Sequence, residues 1–251
     1  MTRPLPVVLV HGAWFGSWCW ASVGAEMDSR GHRVVAVDLP GRPGNPAPPT
    51  SVTLDAFTNH TLSVVRTIDR PVILAGHSLG GTTITHVADA EPDRIAAVVF
   101  VTAFLLRNGQ AAVDVMRRDQ ASMVTSARLL VTGRKASVVA PDMARQTLFH
   151  DCPDHLAAEA QSRLVAESVT IARAPVAWSE SRFGSVPRAF VECSRDRIIT
   201  PLAQLGMVSS VGCDAVATID TGHSPFLAAP RQLARTIAST ASAAIRTRGG
   251  G

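Results

Sequence analysis

The residue of this chain best suited to attack a carbonyl carbon is Ser78, in Gly76-His77-Ser78-Leu79-Gly80. The pattern is G-x-S-x-G, led into by the apolar run PVILAG and out of by GGTTITHVADA. A strand that turns sharply into a helix holds such a serine at the tip of the turn in strained backbone. Flanking glycines let neighbouring chain come close. A serine hydroxyl is a weak nucleophile at neutral pH, so it needs an imidazole to take its proton and a carboxylate to orient that imidazole.

Of the eight histidines, His223 alone lies beyond the last apolar strand, in Asp220-Thr221-Gly222-His223-Ser224-Pro225. A glycine before it and a proline after it suit a loop that delivers one ring over the strand ends. His77 sits in the turn itself, where its ring is expected to point away from the serine's reactive face. His11 ends the first strand and is read as bracing the next loop. His32, His60, His86, His150 and His155 fall in helical or inserted segments and are read as surface or packing residues. For the acid, Asp196 follows the run RAFVEC and precedes a helix near Pro201. Such a strand end is where ligands gather in open α/β sheets. Asp220 is the alternative, although it is close to His223 in sequence. Glu192 lies within a strand, and Asp38 is read as serving the turn after the second strand.

A tetrahedral intermediate needs two preorganised N–H donors. Leu79, after the serine, supplies one; the loop His11-Gly12-Ala13-Trp14 supplies the other, with Ala13 the candidate and Gly12 allowing the tight turn. Trp14, Phe15, Trp18 and Trp20 crowd that loop. Trp18 and Trp20 are read as packing the first helix, whereas Trp14 is open between core and pocket wall. Phe104 and Trp178 are further expected pocket residues, so the substrate-binding set is Gly12, Trp14, Phe104 and Trp178.

These residues must be held by alternating strands and helices. Near-continuous apolar runs at 5–11, 33–38, 71–76, 95–103, 188–193 and 215–220 read as parallel strands buried on both faces. Helices are expected over 17–30, with Ser17 as cap and Gly31 as stop, and over 53–68, 79–90, 201–210 and 230–246. Residues 39–50 hold five prolines and read as a loop over the strand ends. The interval 104–187 breaks the rhythm and shows no convincing strand, with 104–181 as the inserted part; a structureless loop of that length is implausible. It is therefore expected to be a helical lid, inserted in a core formed by 1–103 and 182–251. The terminal glycines read as a frayed tail.

Composition narrows the partners. Hydrophobic residues make up 46% of the 251-residue chain, enough for a sizeable core. The net charge of +4 is scattered, with no Lys/Arg block interleaved with aromatics, so nucleic acid is not an expected partner. No apolar run reaches the roughly 18 residues of a membrane span. The start, MTRPLPVVLVHG, lacks the long apolar region of a secretory leader, so a cytoplasmic protein is expected. The four cysteines show no metal spacing and are expected to be reduced thiols. The oligomeric state stays open, a homodimer included.

Taken together, VVLVHGAW…GSWCW, GHRVVAVDLPG, LAGHSLGG, RFGSVPRAFVECSRDRIITP and GHSPFLAAP resemble the methylesterase and hydroxynitrile-lyase group of α/β-hydrolases, which includes salicylate-binding esterases. The resemblance spans about 5–103 and 182–235 and leaves the lid uncovered. It implies the α/β-hydrolase fold, a mostly parallel sheet of about six strands with helices on both faces and a helical lid. It also favours Asp196 over Asp220. Lyase members of the group carry a threonine straight after the first-strand histidine and a lysine straight after the catalytic one. Here those positions hold Gly12 and Ser224, so departing cyanide would lack a cation, and hydrolysis is favoured.

The expected activity is cleavage of a small or medium apolar carboxylic ester through an acyl-serine intermediate, with no metal or organic cofactor. Two alternatives stand beside it: a lyase or cyclase using the same Ser-His-Asp site on a secondary metabolite, and a non-catalytic small-molecule binding protein. Epoxide hydrolase and haloalkane dehalogenase chemistry would need a carboxylate where Ser78 stands.

Overall fold

The computed structural model describes residues 4–249. The first residues of the segment read as free of a leader, 1–3, and the last two of the terminal glycines lie outside the described residues. Along the chain, β1 (Val7–Val10) leads through a 3-10 turn (Ser17–Trp20) to α1 (Ala21–Asp28) and β2 (Val34–Val37). Next come α2 (Leu54–Arg66), β3 (Val72–His77), α3 (Gly80–Ala90) and β4 (Ile95–Val101). These six-, seven- and four-residue strands are short Val/Ile/Leu/Ala runs, and the four residues of β1 are fully buried. An element apolar on both faces is stable only when covered on both.

Between β4 and the next strand of the main sheet lie α4 (Ala112–Arg118), α5 (Val124–Ala127), β5 (Arg128–Val131), β6 (Ala136–Val139), α6 (Pro141–Thr147), α7 (Asp154–Ser162), β7 (Glu167–Ser168) and α8 (Val169–Arg173). The chain closes with β8 (Arg188–Cys193), α9 (Pro201–Val211), β9 (Ala215–Ile219), α10 (Pro225–Ala228) and α11 (Pro230–Gly249).

Strands β2, β1, β3, β4, β8 and β9 form one six-stranded sheet in that order, and every neighbouring pair is parallel. Helix α1 packs on α11 and α2 on α3, giving two layers over the sheet. The chain steps from β1 outward to β2, then returns past β1 to β3. That reversal leaves a crevice at the carboxyl ends of β1 and β3, the place where open α/β sheets bind ligands.

Three details differ from the sequence expectation. Strands β2 and β9 are partly exposed rather than buried on both faces, because they form the two edges of the sheet. The helix expected from Ser17 starts later, because the Ser17 N–H donates to Asp38 Oδ1 at 2.8 Å and the chain makes a 3-10 turn first. Asp38 thereby clamps two loops, its Oδ2 accepting from Gly44 N–H at 3.2 Å. The inserted segment contains helices, and beside them an antiparallel three-stranded sheet, β5-β6-β7. Its members, RLLV, ASVV and ES, form neither an alternation nor a near-continuous apolar run. Positive φ at Thr132, Gly133 and Arg134 makes the hairpin turn between β5 and β6.

Candidate active site

Ser78 follows β3 directly and has φ +51, the left-handed strain expected at a sharp strand-to-helix turn. The surrounding backbone holds that conformation in place. Ser78 N–H donates to Val101 O at 3.3 Å, and Phe104 N–H donates to Ser78 O at 3.0 Å. A Cβ at Gly80 would lie 2.7 Å from His11 O, so only glycine lets the new helix start against β1. Gly12 is equally constrained, since a Cβ there would sit 2.8 Å from both Ser78 Cβ and His77 Nδ1.

The three residues that sequence reasoning singled out come together. Ser78 Oγ lies 3.1 Å from His223 Nε2, and His223 Nδ1 lies 2.6 Å from Asp196 Oδ2. With Nδ1 protonated towards the carboxylate, Nε2 is left as acceptor for the serine hydroxyl. Asp196 and His223 are 3% and 1% exposed, so the pair is shielded from bulk water. Asp220 is not part of this constellation; it is exposed and pairs with Arg195 and Ser194. Glu192 accepts instead from Thr218 across the β8–β9 pair.

The carboxylate of Asp196 is fully engaged. Its Oδ2 also accepts from Thr102 Oγ1 at 2.5 Å, and its Oδ1 accepts from Ile198 and Ile199 N–H at 2.6 and 3.0 Å. Thr102, immediately after β4 and at φ +36, carries no sequence signature that would single it out. The constellation thus draws a residue from the carboxyl end of each of β1, β3, β4, β8 and β9.

Two histidines brace it from below. His77 is buried, and its Nε2–H donates to His223 O at 2.8 Å. The ring carries the loop of the facing histidine, a contact the sequence does not announce. His11 donates from Nδ1 to Gly12 O at 2.9 Å and accepts Leu39 N–H at Nε2, 3.2 Å away, which is the loop bracing expected of it. Burial first, then the charge of Arg42, pushes the His11 pKa well down, and burial followed by the nearby His223 does the same to His77. Both rings are therefore neutral.

Leu79 N–H and Ala13 N–H donate to no protein acceptor among the described residues. Both residues line a small cavity of about 20 Å³, together with Trp14, Met116, Val124 and Ser137. Trp14 is thus both wall and anchor: its Nε1–H donates to Ser137 O and Oγ at 3.2 Å, and its carbonyl accepts Val165 N–H at 2.9 Å. Phe104 and Trp178 do not line this cavity. Phe104 is buried in the core, its backbone against Gly81. Trp178 instead donates to Leu106 O at 3.0 Å and packs edge-on against Phe183, outside the cavity, because its indole N–H finds a partner on the chain leaving β4. The four cysteines are free, and burial pushes all four thiol pKa values up, Cys152 and Cys213 to about 12, so none competes as a thiolate.

The model of the Alpha/beta hydrolase family matches residues 7–236, nearly the whole chain. The chain belongs to the alpha/beta hydrolase family. Among curated proteins, this hydrolase-family chain is similar to Methylesterase 7 of Arabidopsis thaliana, 28% identical over 90% of this chain and 92% of that one. It is equally similar to Norfluorocurarine synthase 2 of a Strychnos species, 28% identical over 92% and 93% of the two chains. Among solved structures, polyneuridine aldehyde esterase superposes with a TM-score of 0.85 at 25% identity, over 94% of this chain and 99% of the other. Tomato Methylketone Synthase I, with 2-tridecanone bound, shares the fold at a TM-score of 0.86 and 23% identity, over 96% and 99%. No helix among the described residues is long and apolar enough to cross a membrane.

Proposed function

We propose that this protein is a carboxylic ester hydrolase acting on small or medium esters through an acyl-serine intermediate. The observation that carries the reading is the unbroken chain from Ser78 Oγ through His223 to Asp196, at 3.1 and 2.6 Å, beside two uncommitted backbone N–H groups. Ser78 Oγ attacks the ester carbonyl as His223 Nε2 takes its proton. Asp196 stabilises the imidazolium, and the oxyanion is met by Ala13 and Leu79 N–H. His223 then gives the proton to the departing alcohol. A water molecule, deprotonated by the same ring, cleaves the acyl-serine and releases the acid. The similarity to methylesterases over nine-tenths of the chain supports the ester as substrate.

The site has no Lys after His223 and no Thr after His11; Ser224 and Gly12 stand there. That supports hydrolysis over the cyanohydrin chemistry of related lyases. Because a synthase is among the relatives, a lyase or cyclase reading on the same residues stands second. Labelled water separates the two, since hydrolysis puts one solvent oxygen into the acid product. A fluorophosphonate probe tests the site itself. It is expected to label the wild type and not Ser78→Ala, and equal labelling of both would refute the assignment.

A further inference from the structure

A second cavity, of about 190 Å³, lies against the small one and shares Met116, Arg128 and Val169 with it as walls. Arg128 therefore stands on the boundary between the cavity lined by Ala13 and Leu79 and the outer one. The outer cavity's rim carries two more cations, Arg117 and Arg173. Arg117 comes no closer than 3.9 Å to Asp114. Arg128 and Arg173 pair with no carboxylate among the described residues. Burial, and then Arg173, push the Arg128 pKa down from its ordinary value, as fits a half-buried guanidinium without a counter-charge. Glu167 also lines the inner cavity, but both its carboxylate oxygens are taken, Oε2 by Arg42 and Oε1 by Ser168 N–H. An incoming group thus meets a net positive wall, and Arg128 offers the planar fork that matches a carboxylate.

We propose that this site selects esters whose acyl part ends in a carboxylate, half-esters of short dicarboxylic acids, with Arg128 receiving the distal anion. The inference rests on the reading of Ser78 as the nucleophile of an ester hydrolase. With the ester carbonyl at Ala13 and Leu79, the acyl chain is directed towards Arg128, which lines both cavities. Its free carboxylate replaces the counter-ion that Arg128 lacks, while Arg173 and Arg117 raise the local concentration of anionic substrate.

Monomethyl adipate and methyl hexanoate differ mainly in that terminal carboxylate, and acid release from both can be followed by pH-stat titration. The wild type should prefer monomethyl adipate in kcat/KM by about tenfold or more. In Arg128→Gln the ratio of the two kcat/KM values should fall about tenfold, and Arg128→Lys should restore part of it. Arg173→Gln should lower the ratio less, with an effect that fades as salt is raised. A wild-type ratio near one, or a ratio unchanged in Arg128→Gln, overturns the proposal. Binding decides it without turnover: calorimetry with Ser78→Ala should show monomethyl adipate binding about tenfold more weakly once Arg128→Gln is added. If neither ester is hydrolysed but this binding difference holds, the esterase reading fails and the anion site stands. If hydrolysis proceeds without it, the anion site fails alone.

Discussion

His77 donates from Nε2 to the backbone carbonyl of His223 at 2.8 Å, so the residue before the proposed nucleophile carries the loop of the proposed base. The two rings sit 4.7 Å apart between centroids. Any shift of His77 is therefore passed to the 3.1 Å contact between His223 and Ser78. His77→Phe removes the donor and leaves a buried carbonyl unpaired, at a cost of about 1–3 kcal/mol. It should lower kcat by about 10- to 100-fold through misplacement of the imidazole, with KM changed much less. His77→Gln, whose amide can reach the same carbonyl, should recover part of the loss. Steady-state kinetics of both variants check this, and full activity in the Phe variant would show that the loop is held by other contacts, such as Gly222 N–H on Asp151.

The same ring makes the fold sensitive to acid. The folded pKa values of His11 and His77 are lowered well below 6.5, so the native state keeps both neutral while the unfolded chain protonates them below about pH 6.5. Stability falls as pH falls wherever the unfolded chain binds more protons. The contribution of these rings is thus complete above pH 6.5 and is lost on acidification, at up to about 1.4 kcal/mol per pH unit for each. Urea unfolding at pH 7, 6 and 5 should show this decline, and His77→Gln should flatten it. Parallel pH profiles for the two proteins would contradict the assignment.

How much of this was legible beforehand depends on what each residue's job leaves in the sequence. Ser78, His223 and Asp196 could be found because each follows an apolar strand, and the chemistry demands those side chains in a fixed order. Thr102 could not, since a threonine after VVFV is unremarkable until the fold brings it to Asp196 Oδ2. Trp14 and Trp178 looked alike as aromatics flanking a pocket, and only their N–H partners, Ser137 and Leu106, tell wall from outer packing. Strands β5, β6 and β7 are held by pairing with one another, and RLLV, ASVV and ES lack the near-continuous apolar run that marks β1 and β3.

Gly12 was read as a turn residue, but its tighter constraint is clearance. A methyl group there would lie 2.8 Å from Ser78 Cβ, in a turn whose backbone is already strained. Gly12→Ala should cost about 1–3 kcal/mol in overpacking. It should also slow fluorophosphonate labelling of Ser78 by about tenfold or more as the nucleophile is displaced. Gly206→Ala is the matched control, because a Cβ there meets nothing within 4 Å. That change in α9 should leave labelling unaltered and stabilise by up to about 1 kcal/mol. Similar effects from both substitutions would remove the steric argument.

The inserted segment is tied to the sheet by a buried ion pair, Arg42 on the Pro-rich loop with Glu167 on β7, the side chains 1% and 3% exposed. Arg42 also donates from Nε to Phe15 O at 2.6 Å, which fixes its guanidinium between the two parts. Taking both charges from water is costly, so the pair's value lies in what happens when one partner is lost. Arg42→Met should strand the Glu167 carboxylate and destabilise the protein by about 3–5 kcal/mol. Glu167→Met should be similarly damaging, because it strands the guanidinium. The double substitution should lie well above the sum of the two, since it removes both charges and fills the space with apolar volume. Chemical denaturation of the four proteins gives the coupling directly, and additive losses would mean that the ion pair does not hold the segment in place.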